Sequence, residues 1–135
     1  MNKPFIISFF FALVTFIVLG GLFGNFVFLP EFATWHEAYP DAVRETPDFV
    51  SGFILGLLQL IAFVVLLPKL QITSGSGAAL FGAVYSVVIW LIVDLQMVSV
   101  TNIVSYEYVL KDALLSAVMG AILGVVVSWS QRRFA

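Results

Sequence analysis

Four long apolar segments dominate the chain, and 10 of its 14 charged residues lie between these segments or beyond their outer ends. The segments cover residues 5–29, 49–67, 77–98 and 106–129, and the first contains no charged side chain. A helix needs roughly 17–25 mostly apolar residues to cross the hydrocarbon core of a bilayer. The segments are continuous apolar runs, whereas the strands of a membrane barrel alternate apolar and polar positions. The pattern therefore predicts four transmembrane helices, the first being a retained span and not a cleaved signal peptide.

The linkers indicate how these helices are arranged. Short connections favour antiparallel neighbours, so each helix is expected to pack against the next one along the chain. The longest linker, the outer loop at 30–48, contains three prolines, and it places Trp35 and Tyr39 four residues apart, as in a short helix at the headgroup level. We expect an all-α fold, an antiparallel up-down four-helix transmembrane bundle that forms a single integral membrane domain over residues 1–135.

Composition supports this prediction and excludes several functions. Hydrophobic residues make up 61% of the chain and charged residues 10%, compared with about 25% charged residues in soluble domains. The net charge of −2 argues against nucleic-acid binding. The absence of cysteine excludes disulfides and thiolate catalysis. Since no motif nominates a catalytic group, we expect a protein that is not an enzyme and has no cofactor.

The basic residues predict an orientation. If the N-terminus is cytoplasmic, the positive-inside rule is satisfied, because more basic residues then lie on the inner side than on the outer side. The predicted location is a bacterial-type inner membrane, with several spans and both termini in the cytoplasm. The inner residues are Lys3, Lys69, Arg132 and Arg133, and the outer residues are Arg44 and Lys111.

Small residues recur at four-residue spacing within the segments. In lipid, helices associate where small side chains let the backbones approach each other. We therefore expect close packing inside the bundle, with one stripe of small residues free to form a homo-oligomer or a larger membrane complex among membrane lipids. The predicted packing residues are Gly20, Gly24, Gly52, Gly56, Gly82, Ser116, Gly120, Gly124 and Ser128.

Several polar side chains lie at membrane depth, where they need a partner or a function. Counting residues back from the last turn places Asp94 and Lys111 at equal depth, which predicts an ion pair between them. The same count around the preceding turn places Gln59 opposite Ser86, where a hydrogen bond or a small polar cavity is expected. The candidate polar or ion site comprises Asp94, Lys111, Asp112, Gln59, Asn25, His36 and Glu37.

Two of these candidates leave alternatives open. Asn25 either caps the second predicted helix or binds a polar ligand. His36 is the only histidine in the chain, and Glu37 is beside it. A single histidine among loop carboxylates is a poor zinc site, so we predict no metal. His36 is then either an interfacial side chain or a pH sensor.

Two local features carry a resemblance. The first segment ends in a glycine-plus-aromatic stretch at 20–30, and the last carries Ser116, Gly120 and Gly124 at four-residue spacing. In this order the features resemble a class of small bacterial inner-membrane proteins that have four spans and no assigned activity. The resemblance implies architecture and location only.

Three functional hypotheses follow from the sequence. The first is a non-enzymatic packing or accessory module, acting as an oligomer or within a larger membrane assembly. The second is a dimeric transporter of small solutes or cations that uses Asp94 as its coupling residue. The third is a lipid or quinone site between the helices, framed by Phe53, Trp90 and Met119.

Overall fold

The computed structural model describes residues 3–134 and shows an all-α fold. A first long rod begins as α1, continues through one π-helical turn and ends as α2, and together these span 36 residues. This rod and the three remaining helices are each long and apolar enough to cross a membrane, and they pack against one another. The predicted four-helix bundle is thus confirmed. The bounds are α1 Lys3–Phe23, the π-helical turn Gly24–Phe28, α2 Leu29–Ala38, α3 Phe49–Lys69, α4 Gly75–Val100 and α5 Tyr106–Phe134.

The first rod is longer than its predicted apolar segment. Residues 30–38, expected to begin the outer loop, are helical, and the loop is confined to 39–48. Pro30 does not break the rod, because it lies in the first turn of α2, directly after the π-helical turn. At this position a proline costs the helix little stability, and the wider π-helical turn before it accommodates its missing N–H donor.

Polar caps begin α3, α4 and α5, and at α5 the hydroxyl of Ser105 accepts the N–H of Tyr108 at 3.2 Å. The carboxylate of Asp48 accepts hydrogen bonds from the backbone N–H groups of Val50 and Ser51 at the start of α3. The hydroxyl of Ser74 accepts the N–H of Gly77 at the start of α4. We call the end of the bundle that carries loops 39–48 and 101–105 the loop end, and the opposite end, which carries the 70–74 turn, the terminal end.

The closest contact in the bundle joins α4 to α5. A methyl group on Gly82 would collide with the carbonyl group of Gly120, and one on Gly124 would collide with the carbonyl group of Ala78. Only a hydrogen atom fits between the two backbones at these points. The hairpin therefore uses glycines at four-residue spacing to bring its two helices into direct backbone contact.

The first rod packs mainly on the last helix, which is not its neighbour along the chain. The hydroxyl of Ser130 donates to the hydroxyl of Ser8 at 2.9 Å, and both side chains are fully buried. The rings of Phe11 and Trp129 meet edge to face, with centroids 5.4 Å apart. We expected each helix to pack against the next one along the chain, and this expectation did not include the contact between the first rod and α5. Short linkers constrain only consecutive helices.

The helix α3 packs against the other helices along only half of its length. Leu60, Phe63, Val64 and Leu67 are buried in the core at the terminal end, against residues of α1, α4 and α5. In contrast, every residue from Phe49 to Leu55 is exposed. Towards the loop end α3 stands apart from the other helices, and its separation opens a cleft in the bundle.

Candidate functional site: a cleft between the four spans

A cleft of about 810 Å³ lies among all four membrane spans. The π-helical turn, α2 and the second half of α1 form one side, and the half of α3 nearest the loop end forms another. Residues of α4 and α5 complete the lining. The residues that α3 contributes near its start, Phe49, Gly52 and Phe53, are themselves exposed, so the cleft communicates with the surroundings of the bundle.

Aromatic rings form much of the lining. The rings come from every span, and two of them, Phe63 and Tyr85, meet at the deep end of the cleft with centroids 5.3 Å apart and ring planes 50° apart. Rings of this size keep the helices further apart than the glycines of α4 and α5 do. The aromatic lining residues are Phe16, Phe23, Phe28, Phe32, Phe49, Phe53, Phe63, Tyr85, Trp90 and Tyr108.

Three glycines that the sequence assigned to helix packing line this space. A methyl group on Gly20, Gly24 or Gly52 would meet no atom of another residue within 4 Å. In the described chain they leave room in the cleft and do not bring two backbones together. Gly56, one turn further along α3, does make a contact, against the end of the Phe16 ring.

Two buried carboxyl groups meet beside the cleft. Asp94 of α4 is 5% exposed and Asp112 of α5 is 4% exposed, and the two side chains interact directly. The hydroxyl of Ser116 donates to Oδ1 of Asp112 at 3.5 Å. Within residues 3–134, Oδ2 of Asp94 has no hydrogen-bond partner. Since an ionised carboxylate can only accept hydrogen bonds, the pair needs a shared proton or an external cation.

The predicted ion pair between Asp94 and Lys111 is wrong. Nζ of Lys111 lies 3.0 Å from Oε2 of Glu31 on α2, and both side chains are partly exposed. Counting from the turn gave the correct depth for the partner of Asp94 but the wrong face of the helix. Consecutive helical residues point about 100° apart, so Asp112 faces α4 while Lys111 faces α2.

The polar pair expected deeper in the membrane also differs. Among the hydrogen bonds of residues 3–134, none joins Gln59 to Ser86; instead the hydroxyl of Tyr85 donates to the backbone carbonyl of Gln59 at 3.1 Å. Both Gln59 and Ser86 line the cleft. They lie at the depth where α3 begins to diverge from α4, and the cleft that they line there is large and mostly apolar, unlike the small polar cavity given as the alternative.

The remaining candidates lie nearer the loop end. Asn25 belongs to the π-helical turn, lines the cleft and donates through Nδ2 to the carbonyl of Gly21 at 2.7 Å. It does not cap α3, because Asp48 does. The ring N–H at Nδ1 of His36 donates to the carbonyl of Val43 at 2.7 Å, which ties loop 39–48 to α2. Glu37 is exposed on α2.

No metal cluster accompanies these residues. Within the described range 3–134, no three histidine or acidic side chains are grouped so that they could hold a metal ion. The polar part of the site therefore consists of the carboxyl pair and single hydroxyl and amide groups.

Sequence reasoning missed Tyr108, which links α2 to the site. Its side chain is 6% exposed, and its ring meets that of Trp35 with centroids 4.7 Å apart. Tyr108 precedes Asp112 by four residues, so both lie on one face of α5, and this spacing was the available signal. The hydroxyl of Tyr39 adds a second link, since it donates to the carbonyl of Asn102 at 3.0 Å.

Asp48 adds a negative charge to the lining, next to the exposed start of α3. The hydroxyl of Ser51 and the backbone N–H groups of Ser51 and Val50 hold the pKa of the Asp48 carboxyl below its ordinary value of 3.8. Hydrogen bonds to the charged form favour that form, so Asp48 is ionised at neutral pH.

No protein-family model, curated protein or solved structure matches this chain. The resemblance to small four-span proteins therefore extends to the four long apolar helices, and no family is identified. Chemically, the cleft can accommodate an apolar body and offer a few polar groups to one end of it.

Proposed function

We propose that this integral membrane protein binds a membrane amphiphile, a molecule with an apolar body and one polar head, as lipids and quinones have. The cleft carries the proposal. Its volume of about 810 Å³ falls within the range of roughly 300–1,000 Å³ that is usual for small-molecule sites. An apolar lining with a few converging polar groups is also typical of such sites.

The placement of individual residues supports this function. Phe53, Trp90 and Met119, which framed the lipid or quinone site in the sequence, belong to three different helices and all line the cleft. At membrane depth, Ser116 and Asp112 supply polar groups that could orient the head of a ligand. The exposed lining residues of α3 give a path from the lipid phase, so the ligand need not pass through water.

The packing module expected from the sequence has less support. The glycines of α4 and α5 make their contacts inside the chain, so they are not available to a second subunit. The transporter hypothesis also changes, because Asp112 lines the cleft whereas Asp94 lies behind it. Absence of enzymatic activity remains a prediction.

The orientation belongs to this proposal as well. Lys3, Lys69, Arg132 and Arg133 all belong to the terminal end of the bundle. The positive-inside rule places that end in the cytoplasm. In a bacterial-type inner membrane, the cleft would then lie towards the outer leaflet.

Filling the cleft tests the proposal. The protein is extracted in mild detergent, and retained amphiphiles are measured by native mass spectrometry for the wild type and for the double variant Gly20→Leu, Gly52→Leu. Neither leucine meets a clash at its Cβ, so the variant is expected to fold and to lose the ligand. Leu58→Phe, at a residue that is 63% exposed and outside the lining, is the matched control. A wild type that retains no amphiphile, or a filled variant that retains as much, contradicts the proposal.

A further inference from the structure

We propose that the amphiphile is a lipophilic organic cation, bound with its positive group against Asp112. This inference rests on the proposed function, because it names the class of ligand for the same cleft. The juxtaposition that carries it is a buried carboxyl pair at the wall of an aromatic cleft that no basic side chain among residues 3–134 lines.

The charges around the cleft are of one sign. Two acidic residues, Asp48 and Asp112, line it, and no lysine, arginine or histidine does so within the described residues. Lys111, beside Asp112 on α5, points away from the cleft and is paired with Glu31. An anionic head would therefore meet carboxylates without a compensating base, whereas a cationic head would meet counter-charges.

The buried pair is itself incomplete. Asp94 and Asp112 are each at least nine-tenths buried, and Oδ2 of Asp94 is without a hydrogen-bond partner among residues 3–134. Charged groups at membrane depth are normally paired with an opposite charge. A cation bound against the side of Asp112 that faces the cleft supplies the positive charge that the described side chains do not. Any proton that the two carboxyl groups share then stays on Asp94.

The lining indicates an organic cation and not a metal ion. A calcium ion takes six to eight oxygen ligands, and magnesium needs octahedral oxygen coordination, but among residues 3–134 no third histidine or acidic side chain joins the carboxyl pair. Trp90 and Tyr108 line the cleft together with Asp112. Aromatic faces attract alkylated or delocalised cations, which lose little hydration when they enter an apolar site.

Two hydrophobic ions of nearly identical shape and opposite charge test this inference. Tetraphenylphosphonium and tetraphenylborate are titrated into wild-type protein in lipid nanodiscs, and the signal of empty nanodiscs is subtracted. We expect the cation to bind at least tenfold more tightly than the anion. Equal affinity, tighter binding of the anion, or no binding of either ion overturns the inference, and this comparison needs no variant that could misfold.

Variants then locate the charge. Asp112→Asn is expected to weaken tetraphenylphosphonium binding at least tenfold. Glu107→Gln, at an exposed acid on the same helix outside the lining, is the matched control and is expected to change binding less than twofold. Unchanged binding by Asp112→Asn also overturns the assignment, provided that its circular dichroism and elution volume match those of the wild type.

The two proposals fail in different ways. If the wild type retains a neutral amphiphile such as decylubiquinone, loses it when the cleft is filled and binds neither ion, the cleft is a binding site and the cation is wrong. If neither ions nor neutral amphiphiles distinguish the wild type from the filled variant, both proposals are wrong.

Discussion

The helices of the α4–α5 hairpin and α3 are all apolar enough to cross a membrane, yet they are held in different ways. The hairpin is in contact along most of its length, with buried residues from Tyr108 to Ser130 on α5. Burial on α3 begins only at Gly56 and ends at Leu67. Small residues face each other across the hairpin, whereas aromatic rings lie between the loop-end half of α3 and its neighbours. In lipid, hydrophobicity alone does not join helices, so packing follows the small residues.

The difference has a functional consequence. A tight hairpin fixes the position of Asp112 and of the aromatic rings near it, while the freer half of α3 leaves the cleft accessible. Contacts of Trp35 with Tyr108 and of Tyr39 with Asn102 hold α2 over the hairpin at the loop end. One wall of the cleft is therefore rigid, and the opposite wall has few contacts.

The largest effect is expected from a bulky residue inside the hairpin. Gly120→Leu would drive a side chain into the carbonyl of Gly82 and the hydroxyl of Ser86, and we expect a loss of more than about 3 kcal/mol of unfolding free energy. Gly52→Leu, which meets open space at its Cβ, should change stability by no more than about 0.5 kcal/mol. Denaturation of both variants in detergent micelles, followed by circular dichroism, measures the difference. Similar losses would show that α3 is packed as tightly as the hairpin.

A smaller change compares the same substitution at two contacts. A methyl group on Gly82 meets backbone, whereas one on Gly56 meets the end of the Phe16 ring, which can turn aside. We expect Gly82→Ala to cost about 3 kcal/mol and Gly56→Ala about 1 kcal/mol in the same unfolding experiment. A larger cost for Gly56→Ala would contradict the proposed looseness of α3.

Chemical accessibility reports on the two regions directly. The chain has no cysteine, so a single introduced thiol is a unique probe. Phe53 is 46% exposed and Ser128 is 1% exposed, and we expect a cysteine at 53 to react with a lipid-soluble maleimide at least about tenfold faster than one at 128. Val88→Cys, at a residue of α4 that is 48% exposed, serves as the exposed reference. Equal protection at 53 and 128 would mean that α3 closes against the bundle.

The ion pair at the edge of the hairpin should contribute little. Lys111 and Glu31 are 41% and 26% exposed, so a double-mutant cycle with Lys111→Met and Glu31→Gln should give a coupling energy of about 0.2–1 kcal/mol. The same cycle with Glu107→Gln in place of Glu31→Gln should give a coupling near zero. A larger coupling energy between Lys111 and Glu107 than between Lys111 and Glu31 would show that Glu107 is the partner of Lys111.

Acidification should distinguish the starts of α3 and α4. The cap of α3 is a carboxylate whose pKa is lowered below 3.8, so its contribution is complete above that value and disappears as the pH falls through the lowered pKa. The hydroxyl cap of α4 at Ser74 has no such dependence. As the pH falls, the rates of amide exchange at Val50 and Ser51, corrected for the pH dependence of intrinsic exchange, should therefore increase. The corrected rate at Gly77 should stay the same. Asp48→Asn is the control, since its uncharged cap should make α3 insensitive to pH.

The sequence predicted the spans well and the site partly. Three of the cleft residues, Phe53, Trp90 and Met119, were named from the sequence as the frame of a lipid or quinone site, and all three line the cleft. The role of Gly20, Gly24 and Gly52 was not predictable, because a glycine stripe looks the same whether it faces a helix or an open space. Residues 30–38 were assigned to the outer loop because the linker 30–48 carries three prolines, although Pro30 falls where a helix tolerates it.

By itself the sequence determined an all-α protein with four spans, since a long apolar run can satisfy its backbone in lipid only by forming a helix. It also determined the depth of each polar side chain, because every helical residue advances by about 1.5 Å. Tertiary structure alone decided which face each residue presents, and so paired Asp94 with Asp112 and turned Lys111 towards Glu31. It likewise decided that α3 diverges, because the separation of two helices depends on the side chains that meet between them, and these come from distant parts of the chain.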